Sequence, residues 1–305
     1  MNLRYSLTRS DDAPLILAIG FFDGVHRGHR DIARHVLALR QLNGRAGVLT
    51  FANHPATFLR PGSEPHLITT PEERIDLLSQ AGYDECFLVP FDDAIATQEP
   101  EDFLRRALIG KLRVKGVVVG RTFRFGHGRA GNVHVMQRVF GEAGVAFEAV
   151  ENTIDDAGVR ISSSRIREYI ANGDLANADR LLGHPYEICG KVILGTGRGH
   201  GLGFPTANLA LPKKLLPPEG VYAAVARHDG RDYAALVSIG TNPTFGEGGL
   251  TVEAWLRDFE ETIYGREIAL RDLRFVRNQR KFKNADELLA QMKEDAKVIA
   301  FPAYG

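Results

Sequence analysis

The first half of the chain alternates between short apolar runs and stretches with helical periodicity, and this alternation constrains the fold more than any other feature. The apolar runs lie at Leu15–Ile19, 47–51, Glu85–Val89, 116–120 and 145–150. Helical patterns occupy most of the gaps between them, at 31–42, 71–81, 100–112 and 132–143. Strands that alternate with helices predict a parallel sheet covered on both faces. Because such sheets bind ligands at the carboxyl ends of their strands, we expect functional residues in the turns that follow the runs.

The turn after the first run has the features of an anion-binding site. Residues 15–31, LILAIGFFDGVHRGHRD, pass from a strand-like run through a turn into a helical pattern. Backbone N–H groups and the helix dipole can bind an anion at such a helix N-terminus. His26 and His29 are three residues apart, so in a first helical turn their rings point to roughly the same side, where they suit nucleotide phosphates. The turn also holds Gly20, Asp23, Gly24 and Gly28.

Two plainer interpretations of this turn stay open. Glycines after a strand often form only a turn, and two histidines at this spacing also occur as a surface pair or as half of a metal site. No Lys-Ser/Thr pair follows the last glycine, as the Walker pattern requires, and the glycines do not match G-x-G-x-x-G.

Two later turns carry aromatic and basic side chains. His54 lies in an aromatic setting within 51–61, FANHPATFLRP. The segment 120–132, GRTFRFGHGRAGN, combines three arginines with two phenylalanines and several glycines. Arginine beside aromatic rings suits a phosphate together with a flat ring, while a mobile solvated loop is the alternative.

A serine-rich stretch follows at 160–167, RISSSRIR, and opens a predicted helix that ends near residue 171. N-capping is the default explanation for serines at such a position. Together with Arg165 and Arg167, these serines offer more hydroxyls and cations than one cap requires, so we interpret the stretch as a second phosphate-binding helix terminus. A helical pattern at 175–182 precedes the expected domain boundary at 183–185.

The second half of the chain has a different pattern. From Tyr186 onward, short runs rich in Val, Ile, Tyr and Ala alternate with glycine turns and lack intervening helices. The Asp229-Gly230 pair between two such runs is a strong hairpin signal. Closely spaced antiparallel strands predict a small barrel, followed by an amphipathic helix at 285–299.

Candidate chemistry in this half lies in two places. The stretch 195–208, GTGRGHGLGFPTAN, is glycine-rich and can bring backbone and Arg198 close to a phosphate, while Thr206 and Asn208 supply oxygens to a hard cation such as Mg²⁺. Glu253 stands in a strand-like run. It is either a satisfied edge residue, which is the usual case, or a base directed at a hydroxyl nucleophile in phosphoryl transfer.

Composition narrows the class of protein. A chain of 305 residues favours two domains, and equal counts of 38 basic and 38 acidic residues predict no broad attraction to nucleic acid or an anionic membrane. Cys86 and Cys189 stand in separate apolar runs, which favours reduced, buried thiols. No run resembles a signal peptide or a membrane span. We therefore expect a cytoplasmic enzyme.

Eight stretches, taken in order, resemble the bacterial bifunctional riboflavin kinase/FAD synthetase family. They are GFFDGVHRGH, FANHPATF, VVGRTFRFGHGRAGN, ISSSRIR, GRGHGLGFPTANL, GTNPTFG, TVEAWLRDF with IYGRE, and RNQRKF. The resemblance covers nearly the whole chain. It implies an α/β Rossmann-like nucleotidyltransferase domain at 1–184, followed by an antiparallel β-barrel flavokinase domain with a C-terminal helix at 185–305.

The family's chemistry defines the expected substrates. The kinase would phosphorylate riboflavin with ATP to give FMN, and the first domain would adenylylate FMN with a second ATP to give FAD and pyrophosphate. Mg²⁺ would serve both steps. ATP and flavins are the expected partners, with no nucleic acid and no membrane, and the sequence leaves the oligomeric state undetermined.

The resemblance also assigns residues. It implies catalytic roles for His26, His29 and Glu253. ATP and phosphate contacts in the adenylyltransferase would come from Gly20, Phe22, Asp23, Gly24, His26, Gly28, His29, Ser162, Ser163 and Arg165. Flavin contacts there would come from His54, Phe123, Arg124 and Phe125. The kinase would bind ATP through Gly195, Gly197, Arg198, Gly203, Thr206 and Asn208, and Mg²⁺ through Thr206 and Asn208.

Three positions depart from the family pattern. Thr122 occupies a position where relatives commonly have Asp or Asn, and Ser238 and Phe21 each replace an expected asparagine. Two other hypotheses remain. In one, a single half is active and the other is a structural partner; in the other, the protein binds flavin through decayed sites. Retention of both histidines and of Glu253 favours the two-activity enzyme.

Overall fold

The computed structural model describes residues 1–9, 11–40, 43–59, 62, 64–195, 204–210, 214–241 and 250–299. The chain divides into two compact units, Met1–Arg165 and Ile166–Gly305. Within the described ranges, no helix is long and apolar enough to cross a membrane. The two cysteines are free thiols; Cys86 is buried as expected, whereas Cys189 is only half-buried.

The first unit is built on a six-stranded sheet in which every strand pair is parallel, which confirms the prediction. The strands are β1 (Asn2–Arg4), β2 (Leu15–Ile19), β3 (Arg45–Phe51), β4 (Glu85–Val89), β5 (Val114–Gly120) and β6 (Ala146–Val150). Their order is β1-β4-β3-β2-β5-β6, so the direction of winding reverses between β2 and β5. Such a reversal brings the turns after β2 and β5 to one crevice, where open α/β sheets bind ligands.

Helices follow most of the strands and cover the sheet. They are α1 (Arg27–Leu39), α2 (Pro55–Leu59), α3 (Pro71–Gln80), α4 (Asp93–Ala96), α5 (Pro100–Asp102), a π-helix (Phe103–Lys111) and α6 (Val133–Glu142). Two apolar clusters fill the layers, and adjacent β2 residues enter different clusters because strand side chains alternate between faces. Leu15 and Leu17 join one cluster, and Ile16 and Ala18 join the other.

Two predicted helices begin several residues away from the predicted first residue. α1 begins at Arg27 rather than at 31, because His26 caps it with both its carbonyl and its ring nitrogen. The helix predicted from 160 begins at Ser163 and ends at Ala171 (α7), because Arg160 instead forms a β-bridge with Ile154. α8 (Leu175–Leu182) follows and ends at Gly183, whose φ of 77° makes it a left-handed helix cap.

The second unit contains a closed barrel in the order β10-β11-β8-β7-β12-β9, with every described pair antiparallel, as predicted. Its strands are β7 (Ile188–Ile193), β8 (Thr206–Ala210), β9 (Gly220–His228), β10 (Arg231–Thr241), β11 (Leu250–Leu256) and β12 (Glu267–Arg277). The predicted hairpin joins β9 to β10 through Asp229 and Gly230, both at positive φ, as a type I′ turn requires. The last helix, α9, spans Ala285–Val298.

Candidate functional sites

The two histidines of the first turn lie against each other at the N-terminus of α1. Their ring centroids are 3.6 Å apart and the rings are inclined by only 17°. The carbonyl oxygen of His26 accepts the N–H of His29 at 2.7 Å, and Nδ1 of His26 lies 3.4 Å from the same nitrogen. The expectation that both rings lie on one side of the first helical turn is confirmed.

Burial lowers the pKa of His29 well below its usual range, and the neighbouring His26 and the Arg74 guanidinium lower it further. His29 is therefore neutral near pH 7. Its Nδ1 has no hydrogen-bond partner among the described residues. A neutral imidazole can donate one N–H to an anionic oxygen, and phosphate binding by His29 stays a prediction.

Glycines in this turn are required by close packing and backbone conformation. A side chain at Gly28 would stand 3.2 Å from the His26 ring, and one at Gly20 would stand 3.0 Å from the ring of Phe22. Gly24 has φ 78° and donates its N–H to Oγ1 of Thr69 at 3.1 Å. Phe22 is buried, with its ring centroid 5.1 Å from that of His29 and the two rings edge-on. These residues shape the turn; their contact with ATP stays a prediction.

Asp23 anchors the same turn to the segment before α3. Its buried carboxylate accepts the backbone N–H of Ile68 at 3.0 Å and that of Thr69 at 3.1 Å. Both carboxylate oxygens take part, since the second lies 3.2 Å from the Ile68 nitrogen. Asp23 therefore has a clear structural role, and a role in phosphate binding stays a prediction.

The serine stretch meets the histidine turn, as the interpretation of a shared site requires. Ser163 donates its hydroxyl to the carbonyl oxygen of Asp23 at 3.0 Å. Ser162 lies at the N-terminus of α7, and its Oγ accepts the N–H of Arg165 at 3.4 Å, which is the ordinary capping contact. Arg165 pairs with the carboxylate of Asp155 at 2.7 Å. The segment thus combines a helix cap with a guanidinium that is paired to Asp155, and Ser163 connects it to the turn.

The predicted flavin residues fall into two groups. His54 accepts the N–H of Ala56 at 3.0 Å, and its ring lies edge-on to Phe21 with centroids 4.6 Å apart. In the turn after β5, Phe123 stacks on Phe125 at 5.7 Å, and Phe125 packs into the core against Phe103. Arg124, which separates these two residues in sequence, is exposed. Phe125 therefore supports Phe123 from the core side, and flavin contact by these residues stays a prediction.

In the barrel, three polar residues stand in one row across adjacent strands. Glu253 on β11 is opposite Asn208 on β8 and opposite Ser238 on β10. Directly opposed residues of antiparallel strands share a face and bring their side chains within contact range. The predicted base and a predicted cation ligand are thus neighbours, although 45 positions separate them in sequence.

Gly195 packs directly against this row. A side chain at Gly195 would overlap the amide of Asn208, so the glycine is needed for the close approach. Thr206 lies opposite Trp255 and lines a separate cavity of about 140 Å³. Three predicted kinase residues, Gly197, Arg198 and Gly203, lie outside the described residues.

A cavity of about 470 Å³ adjoins Glu253. Some of the residues that line it were not assigned to the site from the sequence. Gln279, Arg280 and Lys281, which follow β12, line it together with Ser238. The Gln279 amide donates to Oγ of Ser238 at 2.8 Å and to the carbonyl of Ile239 at 3.1 Å. The RNQRKF motif was the available signal, but its position in sequence did not reveal which strand it meets.

No cluster of three or more histidine, cysteine or carboxylate side chains suitable for a metal lies within the described ranges. The metal-site interpretation of His26 and His29 therefore gains no support. Thr206 and Asn208 offer a hydroxyl and an amide oxygen, and such neutral donors fit Mg²⁺ when substrate phosphates complete its coordination.

Fold and sites together define a two-unit protein: a parallel α/β unit with two stacked histidines at a helix N-terminus, followed by a closed barrel with a carboxylate-containing row. A family model described as FAD synthetase matches residues 8–165, and one described as riboflavin kinase matches residues 182–300. The chain belongs to the bifunctional riboflavin kinase/FMN adenylyltransferase family.

Relatives along the whole chain support this membership. The chain is 35% identical to the bifunctional riboflavin kinase/FMN adenylyltransferase of Escherichia coli K12, over 95% of this chain and 93% of that one. It is 35% identical, with the same coverage, to the protein of that name from Bacillus subtilis. A crystal structure from Streptococcus pneumoniae, described as a macrolide-efflux protein, matches with a TM-score of 0.83 and 30% identity over 95% and 94% of the two chains.

Proposed function

We infer that this protein makes FAD from riboflavin in two ATP-dependent steps. The first step transfers the γ-phosphoryl group of ATP to riboflavin and gives FMN and ADP. The second transfers the adenylyl group of another ATP to FMN and gives FAD and pyrophosphate. One observation carries this conclusion: in each of its two units, this protein brings candidate residues of the family together. His26 stacks on His29 in the first unit, and Glu253 lies opposite Asn208 in the second.

We propose that the two activities divide along the chain, with adenylyl transfer in residues 1–184 and flavin phosphorylation in residues 185–305. The division into compact units at Arg165 and Ile166 supports two separate active regions. The two family models also leave a gap between residues 165 and 182, which contains most of α7 and α8.

Adenylyl transfer needs no nucleophile from the protein. A phosphate oxygen of FMN attacks the α-phosphorus of ATP, the bond to the bridging oxygen breaks, and pyrophosphate leaves. The protein contributes positioning and charge stabilisation, which suit helix N-termini, neutral imidazoles and guanidinium groups. His26, His29, Ser162, Ser163 and Arg165 supply these around one turn. His54, Phe123 and Arg124 would hold the flavin.

Flavin phosphorylation starts from a neutral alcohol, so a base assists it. The carboxylate of Glu253 accepts the proton of the ribityl hydroxyl as that oxygen attacks the γ-phosphorus of ATP, and ADP leaves. Thr206 and Asn208 would hold the Mg²⁺ that accompanies ATP. The ion, when bound, neutralises phosphate charge.

We propose that the protein acts in the cytoplasm, where ATP is available and free thiols such as Cys86 stay reduced. ATP and flavins are its proposed partners. The equal numbers of acidic and basic residues give no reason to propose a nucleic acid partner.

A time course tests the proposal. Purified protein, riboflavin, ATP and Mg²⁺ are incubated, and riboflavin, FMN and FAD are separated chromatographically. FMN should rise first and FAD should follow. Accumulation of FMN alone would show that only the kinase is active. Binding of flavin without formation of FMN or FAD would favour a flavin-binding protein whose active sites have decayed.

A further inference from the structure

A buried arginine on α3 lies next to the histidine turn and has no role in the assignment above. Arg74 is fully inaccessible to solvent. Its Nη2 donates to the carbonyl of Phe51, the last residue of β3, at 2.6 Å. Its guanidinium carbon lies 4.3 Å from the centre of the Phe21 ring, in the turn after β2. Arg74 therefore connects the carboxyl ends of two neighbouring strands.

Phe21 is held from three sides. Its backbone carbonyl accepts the hydroxyl of Thr50 at 2.9 Å, its ring lies over the Arg74 guanidinium, and its ring meets that of His54 at 4.6 Å. Because both Thr50 and the carbonyl bonded by Arg74 belong to β3, the turn is fixed to that strand. Phe21 and His54 thus form an aromatic pair at the carboxyl ends of β2 and β3, which we term the Phe21–His54 wall.

The charge of Arg74 is only partly balanced. Its Nε and Nη1 have no hydrogen-bond partner among the described residues. The charged and titratable groups that act on Arg74 or His29 are Asp23, His26, Glu72 and Cys86, in addition to the effect of Arg74 on His29. The Asp23 carboxylate is already engaged by backbone N–H groups.

A buried, incompletely paired cation destabilises a fold, whereas an apolar side chain at this buried position would not. Burial lowers the pKa of Arg74 to about 10, which leaves it charged at neutral pH. In the free protein this positive charge is only partly balanced. The negative charge of a bound polyphosphate would balance it further, and the arginine would in turn stabilise the bound polyphosphate.

We propose that Arg74 is a positioning residue of the adenylyl-transfer site: it fixes the Phe21–His54 wall and places a permanent positive charge beside the turn that binds the phosphates of ATP. It does not touch the substrate, since it is fully buried. The inference rests on the proposed adenylyltransferase function and adds a residue to it.

Two variants separate charge from geometry. Arg74→Met keeps the length of the side chain and removes the charge, and Arg74→Lys keeps the charge and loses the planar contact with Phe21. The conversion of FMN to FAD is measured across pH, with kcat and KM for ATP, and riboflavin phosphorylation by the same preparation reports on the intact second unit. Arg106→Met removes an exposed arginine of the first unit and serves as the matched control.

Arg74→Met should lower kcat/KM for ATP by about tenfold to a hundredfold. It should also move the acid limb of the pH profile to higher pH, because a cation that opposes protonation of His29 is gone. Arg74→Lys should keep the wild-type pH profile with a smaller loss in rate. If Arg74→Met does not fold, the rate and pH profile of Arg74→Lys test the inference by themselves. Arg106→Met should behave as wild type.

Wild-type kinetics and pH profile in Arg74→Met would overturn the inference. So would equal losses in the two variants without any movement of the pH profile, since that result indicates a purely structural residue. A wild-type protein that forms no FAD from FMN would instead overturn the proposed function itself, so the two failures are distinguishable.

Discussion

Asn208 and Glu253 lie directly opposite each other in the antiparallel register of β8 and β11. In the proposed kinase site, this register would place the base beside the amide that holds the cation of the nucleotide. Glu253→Gln should lower the rate of FMN formation by about a hundredfold or more, because the amide cannot accept the proton. Conversion of supplied FMN to FAD should be unchanged, and chromatography of the three flavins measures both rates.

Glu267→Gln is the matched control for this change, since Glu267 is an exposed glutamate at the start of β12. It should leave both rates at the wild-type level. If Glu253→Gln impairs both steps equally, Glu253 is not the base of the kinase.

The stacked histidines predict the opposite pattern. His29→Ala should lower FAD formation from FMN by about a hundredfold, because a donor to the phosphates is lost, and should leave FMN formation intact. His134→Ala changes an exposed histidine on α6 and should have no effect. Normal FAD synthesis in His29→Ala would remove this residue from the catalytic set.

The packing of Gly195 against Asn208 gives a steric prediction. Gly195→Ala should displace the Asn208 amide and lower kcat/KM for ATP in the kinase step by about tenfold, while the adenylyl step keeps its rate. Gly141→Ala is the control, because a side chain there meets nothing within 4 Å. Unchanged kinase kinetics in Gly195→Ala would show that Asn208 does not need its present position.

Asp179 on α8 predicts a pH dependence of stability. Its pKa is raised to about 7, chiefly by burial and to a smaller extent by the nearby Asp272 and Glu187, against a lowering by the Tyr186 N–H. The folded protein therefore binds this proton more tightly than the unfolded chain does, and the contribution to stability falls as pH rises from about 4 to about 7.

Asp179→Asn removes this dependence and keeps an oxygen that can accept the Tyr186 N–H. It should stabilise the protein by about 1–2 kcal/mol at pH 8 and by little at pH 4. Thermal unfolding at the two pH values measures the difference, with Glu168→Gln, an exposed change on α7, as control. A variant with the same Tm gain at both pH values would contradict the raised pKa.

The elements with strong local signals could be predicted from the sequence. β2, β4 and α8 have the predicted bounds, because apolar or helical patterns that end at a glycine or a proline are recognisable without tertiary information. β1 was not predicted, since it is three residues long and depends on parallel pairing with β4.

The site residues that sequence reasoning missed depend on contacts between distant segments. Arg74 lies one helical turn before the buried Leu78, and this spacing was the only local sign that its side chain is buried. Its partners Phe21 and Phe51 come from two other strand ends. The place of Gln279 in the site likewise depends on its hydrogen bond to Ser238 of β10, a contact between segments far apart in sequence.

Closure of the barrel has a consequence for behaviour at high concentration. Each of its six described strands has a paired neighbour on both sides, so no described strand of the barrel is an outer strand that is open along its length to another chain. In the sheet of the first unit, one outer strand is the three-residue β1, which is too short to template much further pairing. Among the described strands, β6 is thus the main position at which a mutation could promote edge-to-edge aggregation.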